Sequence, residues 1–166
     1  MIKCIILAGG LGKRLRSVVS DVPKPMANIC GKPFLHYLLE FYNSSLNKVE
    51  FFISIGYKKE IIKNYFGSKF YNSNINYVEE TSPLGTGGAL VRVMNEYEFE
   101  FKKNPFLLVN GDSFIEYNIN KMFKTHLNNR ADITICTMIA NEHDRYATIK
   151  FNEKTKSVTE FNSKKG

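Results

Sequence analysis

Apolar, strand-like runs alternate with segments of helical period along the chain, and this predicts an α/β protein. The strand candidates are almost continuously apolar, as expected for a mostly parallel, mixed sheet covered by helices on both faces in three α/β/α layers. Three short motifs rich in glycine or acidic residues each follow such a run directly, after Leu7, Glu79 and Val109. Ligands of parallel sheets sit at the carboxyl ends of strands, so these motifs are expected to meet at one rim.

In order, Lys3–Leu7 reads as the first strand and Pro33–Tyr42 as a helix with Leu35, Leu38, Leu39 and Tyr42 on one side. Val49–Ile55 is the second strand, followed by a helix over Lys58–Phe66 that stops at Gly67. Ile75–Glu79 is the third strand, Gly88–Tyr97 a helix, and Phe106–Val109 the fourth strand. Ile119–Leu127 reads as a helix and the apolar run Asp132–Ile139 as a fifth strand. Thr148–Phe151 and Ser157–Phe161 close the chain as strands joined by the polar turn Asn152–Lys156. There is no internal repeat, linker or low-complexity segment.

At 166 residues the chain is one domain or most of one. A hydrophobic share of 43% is ordinary for a globular protein. The net charge of +7 suits phosphate-bearing ligands and also nucleic acid. The lysines are scattered (Lys58, Lys59, Lys63, Lys69, Lys102, Lys103), so they read as a solvated face and nucleic acid as the minor alternative. Cys4, Cys30 and Cys136 form no C-x-x-C pair; Cys4 and Cys136 lie in apolar runs and are expected to be buried free thiols in a reducing compartment. His36, His126 and His143 stand at no ligand spacing and are expected to be structural or exposed. No apolar stretch reaches membrane length, and the run Cys4–Ala8 is too brief for a signal peptide. No membrane is expected as a partner, and the cytoplasm is the expected location.

The first motif carries the most chemistry. Leu7-Ala8-Gly9-Gly10-Leu11-Gly12 breaks the first strand into a glycine turn, with Lys13 and Arg14 at once behind it. Lys24 follows between Pro23 and Pro25. Glycines let backbone N–H groups approach an anion, Arg14 adds a planar fork of donors, and Lys24 adds a compact charge. The prolines are expected to hold Val22 and Lys24 extended. The whole reads as a polyphosphate cradle. It is not a Walker A loop, because Arg14 follows Gly12-Lys13 and the earlier glycine position is Leu7. Nor is it the G-x-G-x-x-G fingerprint, because Leu15 stands where the last glycine is required.

The second motif is Glu79-Glu80-Thr81-Ser82-Pro83-Leu84-Gly85-Thr86-Gly87-Gly88. Pro83 pre-sets a turn, and Gly85 to Gly88 open a helix whose first N–H groups suit a polar or anionic ligand. The third is Asn110-Gly111-Asp112, which places a carboxylate at a strand end where a hard cation can be held.

G-G-x-G-x-R-L followed by P-K-P resembles the sugar-phosphate nucleotidyltransferases, which join a nucleoside triphosphate to a sugar 1-phosphate and release pyrophosphate. Through PLGTGGAL, NGDSF and RYATIKF the chain is most similar to the bacterial D-glycero-D-manno-heptose 1-phosphate guanylyltransferases. The resemblance runs from Lys3 to Lys164 and implies the Rossmann-like nucleotide-diphospho-sugar transferase fold. It implies GTP and a heptose 1-phosphate as small-molecule partners, Mg²⁺ as cofactor, and a role in capsule or polysaccharide biosynthesis. Nucleotide contacts are implied at Leu7, Ala8, Gly9, Gly10, Gly12, Lys13, Glu80, Pro83, Gly85 and Thr86. Glu80, with Glu79 close behind, is the candidate reader of guanine, whose N1–H and exocyclic N2–H form a donor pair. Gly87, Asn110 and Lys164 are implied at the sugar phosphate, and Asp112 at Mg²⁺.

In the implied reaction Arg14, Lys24, Asp112 and Lys164 carry catalysis by positioning and charge neutralisation. Other matches are partial. Ala147 stands where an R-Y-G stretch has glycine, and Ser163 where F-x-E-K has glutamate, which leaves Lys164 and Lys165 both open for that lysine. Ile55-Gly56-Tyr57, Ile62 and Tyr65-Phe66-Gly67 read as packing. Family members are longer and carry a second Asp at the metal. The chain, residues 1–166, is therefore expected to be a single nucleotidyltransferase domain truncated at its C-terminal end, or a shortened relative. Alternatives are another sugar (mannose, glucose) or base (UTP, CTP, dTTP), and a non-catalytic nucleotide-binding subunit. A homo-oligomer is a further expectation, because a sheet cut short leaves an unpaired edge.

Overall fold

The computed structural model describes residues 1–10, 12, 21–98, 104–139 and 147–162. The chain packs as two compact units, Met1–Phe123 and Lys124–Gly166. The first is built on a five-stranded sheet, in the order β5 (Lys69–Phe70), β6 (Ser73–Glu79), β4 (Val49–Ile55), β1 (Ile2–Ala8), β7 (Leu107–Asn110). β1, β4, β6 and β7 run parallel, and the two-residue β5 is antiparallel to β6. The mostly parallel mixed sheet expected from the sequence is therefore present.

Strand alternation sorts the core into two layers. Cys4, Ile6 and Ala8 of β1 pack on one face with Phe51, Ile53 and Ile55 of β4. That face is covered by Leu35, Leu38, Leu39 and Tyr42 of α1 (Phe34–Ser45), by Ile62 and Phe66 of α2 (Lys59–Phe66), and by Ile119 of α4 (Ile119–Asn128). The opposite face sets Ile5, Phe52 and Val78 against Val93, Leu90 and Met94 of α3 (Gly85–Glu96). Both faces are covered, which is why the strands read as continuous apolar runs. β1 pairs with β4 on one side and β7 on the other, and the connection through α3 carries the chain from β6 across to β7. The strand order thus reverses about β1, and the crevice of such a sheet opens there.

Three short strands are not foreseen from the sequence. β2 (Asn28–Ile29) and β3 (Lys32–Pro33) form a tight hairpin around Cys30-Gly31, both at positive φ (49° and 86°). That is the backbone of the hairpin turn whose twist matches its strands. β5 is the third, and two residues carry no readable period.

One expected strand is absent. Asp132–Ile139 has no regular structure, and Ile133 (81%), Met138 (67%) and Ile139 (93%) are exposed. Apolar alternation makes a strand only where a neighbour completes the ladder, and no described strand pairs with it. Cys136, expected buried, is exposed for the same reason, whereas Cys4 is fully buried and burial pushes its thiol pKa up. Within the second unit, β8 (Thr148–Phe151) and β9 (Val158–Asn162) form an antiparallel hairpin. Its turn is held by the Asn152 Oδ1, which accepts from the N–H groups of Lys154 (2.9 Å) and Thr155 (3.0 Å).

Candidate functional site

The three motifs converge. A cavity of about 270 Å³ is lined by Leu7, Ala8, Gly9, Gly10 and Gly12 from the end of β1, and by Lys24 and Pro25. Glu80, Pro83, Gly85, Thr86 and Ala89 line it from the end of β6 and the start of α3, and Asn110 and Asp112 from the end of β7. Gly87 of the expected set is not among the lining residues. Lys13, Arg14 and Lys164, together with the matches at Arg145, Tyr146 and Ser163, lie outside the described residues. Pro25 and Ala89 line the cavity although neither is among the contact residues expected from the sequence. Ala89 follows the glycines of α3 at 3% exposure, a small side chain where the helix start meets the cavity.

The glycine turn is shaped by contact and by backbone. A Cβ at Gly9 would lie 2.2 Å from the Glu80 Oε1, so only glycine lets that carboxylate reach the turn. Gly12 has φ +58°, and a Cβ there would press on the Lys24 Cβ at 3.2 Å. These are two positions where the chain needs a residue without a side chain.

Lys24 corrects an expectation. It was expected extended because a proline follows, but it begins a single 3-10 turn over Lys24–Met26. Pro25 sits early in that turn, where a missing N–H leaves nothing unpaired, and Met26 N–H donates to the Pro23 carbonyl at 2.7 Å. Burial of Pro25 and Met26 holds the turn against the steric bias of the X-Pro step. The Lys24 Nζ then donates to the Asp112 Oδ2 at 2.6 Å, joining the first and third motifs across the cavity. Both side chains are more than a third exposed (38% and 36%), so the pair is screened and open to exchange for a ligand's charges.

Glu79 and Glu80 have opposite surroundings. Glu79 ends β6 and takes the ammonium groups of Lys59 and Lys63 of α2, one on each oxygen. Those charged hydrogen bonds pull its pKa down to about 2. Lys63, held mainly by the same bond, is raised above its ordinary value. Glu79 is therefore committed to α2 and does not line the cavity. Glu80 does line it: its N–H donates to the Ile55 carbonyl at 2.7 Å, its Oε1 accepts from the Ser54 hydroxyl at 2.7 Å, and its Oε2 accepts from the Leu84 N–H at 3.2 Å.

Of the histidines expected to be structural or exposed, His36 packs its ring against Phe70 with centroids 5.1 Å apart. The His126 Nδ1 lies 3.0 Å from the Thr134 hydroxyl, and His143 is outside the described residues.

As a metal holder, the rim offers hard oxygen donors side by side, the Asp112 carboxylate and the Asn110 amide. Asp112 already attracts one cation, the Lys24 ammonium. Among the described residues no group of three or more His, Cys, Asp or Glu could cage a metal alone. One carboxylate with the remaining ligands from substrate phosphates is the usual Mg²⁺ arrangement, so these residues fit such an ion.

The site is thus a crevice at the end of β1 that gathers a glycine turn, a lysine and two carboxylates from successive strand ends, at the rim where ligands of parallel α/β sheets bind. Residues 3–164 match the nucleotidyl transferase family, and the chain belongs to it. It is similar to the D-glycero-alpha-D-manno-heptose 1-phosphate guanylyltransferases of Aneurinibacillus thermoaerophilus (43% identical over 148 residues) and Campylobacter jejuni subsp. jejuni serotype O:2 (38% over 151). These alignments take in 89% and 91% of this chain but 62% and 64% of the relatives, so the chain spans less than two thirds of their length. Among solved structures, HddC from Yersinia pseudotuberculosis, complexed with GMP-PN, superposes with a TM-score of 0.79 at 32% identity, over 99% of this chain and 70% of that one. UDP-glucose pyrophosphorylase shares the fold, with a TM-score of 0.78 at 21% identity over 99% of this chain and 70% of that one.

Proposed function

We propose that this chain carries the catalytic site of a sugar-1-phosphate guanylyltransferase, which transfers GMP from GTP to D-glycero-D-manno-heptose 1-phosphate and releases pyrophosphate. The observation that carries this reading is the convergence of the glycine turn, Lys24, Glu80 and Asp112 on one cavity. The names of the two guanylyltransferases and the GMP-PN bound to the Yersinia protein support the base and the sugar.

In this mechanism a phosphate oxygen of the sugar phosphate attacks the α-phosphorus in line, and positioning and electrostatics carry the rate. Lys13, Arg14 and the turn from Leu7 to Gly12 embrace the triphosphate. Arg14 neutralises the departing pyrophosphate and Lys24 the charge building at the α-phosphate. Glu80, Pro83, Gly85 and Thr86 hold the nucleoside, the Glu80 carboxylate accepting the N1–H and N2–H of guanine. Gly87, Asn110 and Lys164 receive the sugar phosphate. Asp112, with Asn110 beside it, would hold Mg²⁺, which when bound supplies charge neutralisation on the reactive phosphates. Lys24 leaves Asp112 for the nucleotide in this reading, an exchange that the exposure of their ion pair permits.

The product would feed capsule or polysaccharide biosynthesis, and the cytoplasm is the proposed location. No helix among the described residues is long and apolar enough to cross a membrane. Mannose 1-phosphate is the second substrate to test, because mannose-1-phosphate guanylyltransferases are also similar (30% and 28% identical to rice and Arabidopsis proteins).

The test is pyrophosphate release with Mg²⁺, offering GTP, ATP, UTP, CTP and dTTP against heptose, mannose and glucose 1-phosphates. GTP with heptose 1-phosphate should give the highest rate. Preference for another triphosphate, or nucleotide binding without product at any Mg²⁺ level, overturns the assignment.

A further inference from the structure

We propose that Ser54 sets base specificity in this site, by holding the Glu80 carboxylate in the orientation that reads a guanine edge. The inference rests on the reading of Glu80 as the base reader, and adds a residue that no motif contains.

Ser54 is fully buried in β4, among Phe52, Ile53 and Ile55. A hydroxyl in such surroundings needs a partner, since an unpaired buried polar group is strongly disfavoured. Its partner is the Glu80 Oε1, 2.7 Å away and 26 residues on in the chain. The register explains the meeting. Ser54 is paired with Leu7 of β1 on one side and with Val78 of β6 on the other, so it lies between the strand that leads into the glycine turn and the strand that leads to Glu80.

Glu80 is thus held by groups from three places. Ser54 donates to Oε1, the Leu84 N–H donates to Oε2 at 3.2 Å, and Gly9 lies so near that a Cβ there would be 2.2 Å from Oε1. An ionised carboxylate offers about four acceptor positions. One on each oxygen is taken, and one on each remains. A pair of neighbouring N–H donors on a planar base matches those two positions, as the N1–H and N2–H of guanine do. A base that presents an acceptor where guanine has N1–H meets a fixed negative charge instead. Glu79 is not placed to do this, because it does not line the cavity and its carboxylate is turned to Lys59 and Lys63 of α2.

A carboxylate free to turn would still attract the donors, but it would lose the preorganisation that makes the pair selective. Ser54 is therefore a positioning residue. Its signature is a change in discrimination between guanine and hypoxanthine, which lacks the 2-amino group.

The experiment measures Kd for GTP and ITP by calorimetry with Mg²⁺, on the full chain and on Ser54→Ala, Ser54→Cys, Ser54→Thr, Glu80→Gln and Ser54→Ala/Glu80→Gln. Loss of a hydrogen bond to a charged group predicts that Ser54→Ala and Ser54→Cys lower the GTP-over-ITP preference about tenfold. Ser54→Thr, which keeps the hydroxyl, should retain most of the preference. The double variant should be no worse than Glu80→Gln alone, since both act through one carboxylate. Should Ser54→Ala fail to fold, the near-isosteric Ser54→Cys decides. A Cys or Ala variant that keeps the parent preference while Glu80→Gln loses it overturns the role of Ser54. Unchanged preference in Glu80→Gln overturns the base-reader assignment itself, and with it the role of Ser54.

Discussion

Two apolar stretches of similar composition end up in opposite states. β4 buries Phe51, Ile53 and Ile55 at 0% exposure, whereas Ile133, Met138 and Ile139 stand at 81%, 67% and 93%. β4 lies between β1 and β6, with α1 and α2 on one face and α3 on the other. The stretch Asp132–Ile139 has neither a ladder partner nor a covering layer among the described residues. Side-chain pattern alone does not make a strand; neighbours on both edges and both faces do. The same contrast separates the sites. The cavity is built where strand ends are held by a packed sheet, and its lining residues all come from the unit Met1–Phe123.

Thiol labelling should distinguish the packed sheet from the exposed stretch most strongly. Cys4 is fully buried and its thiol is pushed up in pKa, while Cys30 and Cys136 are exposed. Maleimide or disulfide reagents should modify Cys30 and Cys136 in the native protein and reach Cys4 only on unfolding. Rapid labelling of Cys4, or protection of Cys136, would contradict the burial described for the two units.

Core truncation comes next. Phe51→Ala should destabilise the fold by about 3–5 kcal/mol, from lost burial and the cavity left behind. Ile139→Ala, at an exposed position, should stay within about 0.5 kcal/mol of the parent. Urea denaturation of both variants measures the difference, and equal losses would erase it.

Within the cavity unit, Lys24→Ala should lower turnover by roughly two to three decades if its ammonium meets charge developing at phosphorus, and Arg14→Ala by a similar factor. Near-normal rates in pyrophosphate-release assays of well-folded variants would remove both from the mechanism. The smallest effect concerns Glu79. Its folded pKa is depressed from 4.5 to about 2, so the stabilisation it provides is present above pH 4.5 and fades as pH falls toward 2. Glu79→Gln should thus lower Tm slightly near neutrality, and the difference from the parent should vanish in strong acid. A difference that grows on acidification would contradict the lysine clamp.

Much of this fold is legible in the sequence because β1, β4, β6 and β7 are apolar runs closed by glycine or acidic punctuation, and because α1 and α2 keep a clean helical period. The convergence of the three motifs also follows from strand ends alone. What the sequence does not disclose is set by contacts between distant positions. The fate of Asp132–Ile139 depends on neighbours, and the backbone of Lys24 on the burial of Pro25 and Met26. The choice between Glu79 and Glu80 depends on which lysines α2 brings to the end of β6. Ser54 is the extreme case, one hydroxyl in an apolar strand with no motif around it, and only the β4 register beside Leu7 and Val78 makes it visible.

Whether the cavity holds a guanine nucleotide is decided by titration calorimetry of the folded chain with GTP and Mg²⁺. Saturable binding that Lys24→Ala weakens, with ATP, UTP, CTP and dTTP binding less well, is the predicted result. No heat from any of these nucleotides, with the fold verified by circular dichroism, would contradict the assignment of the cavity.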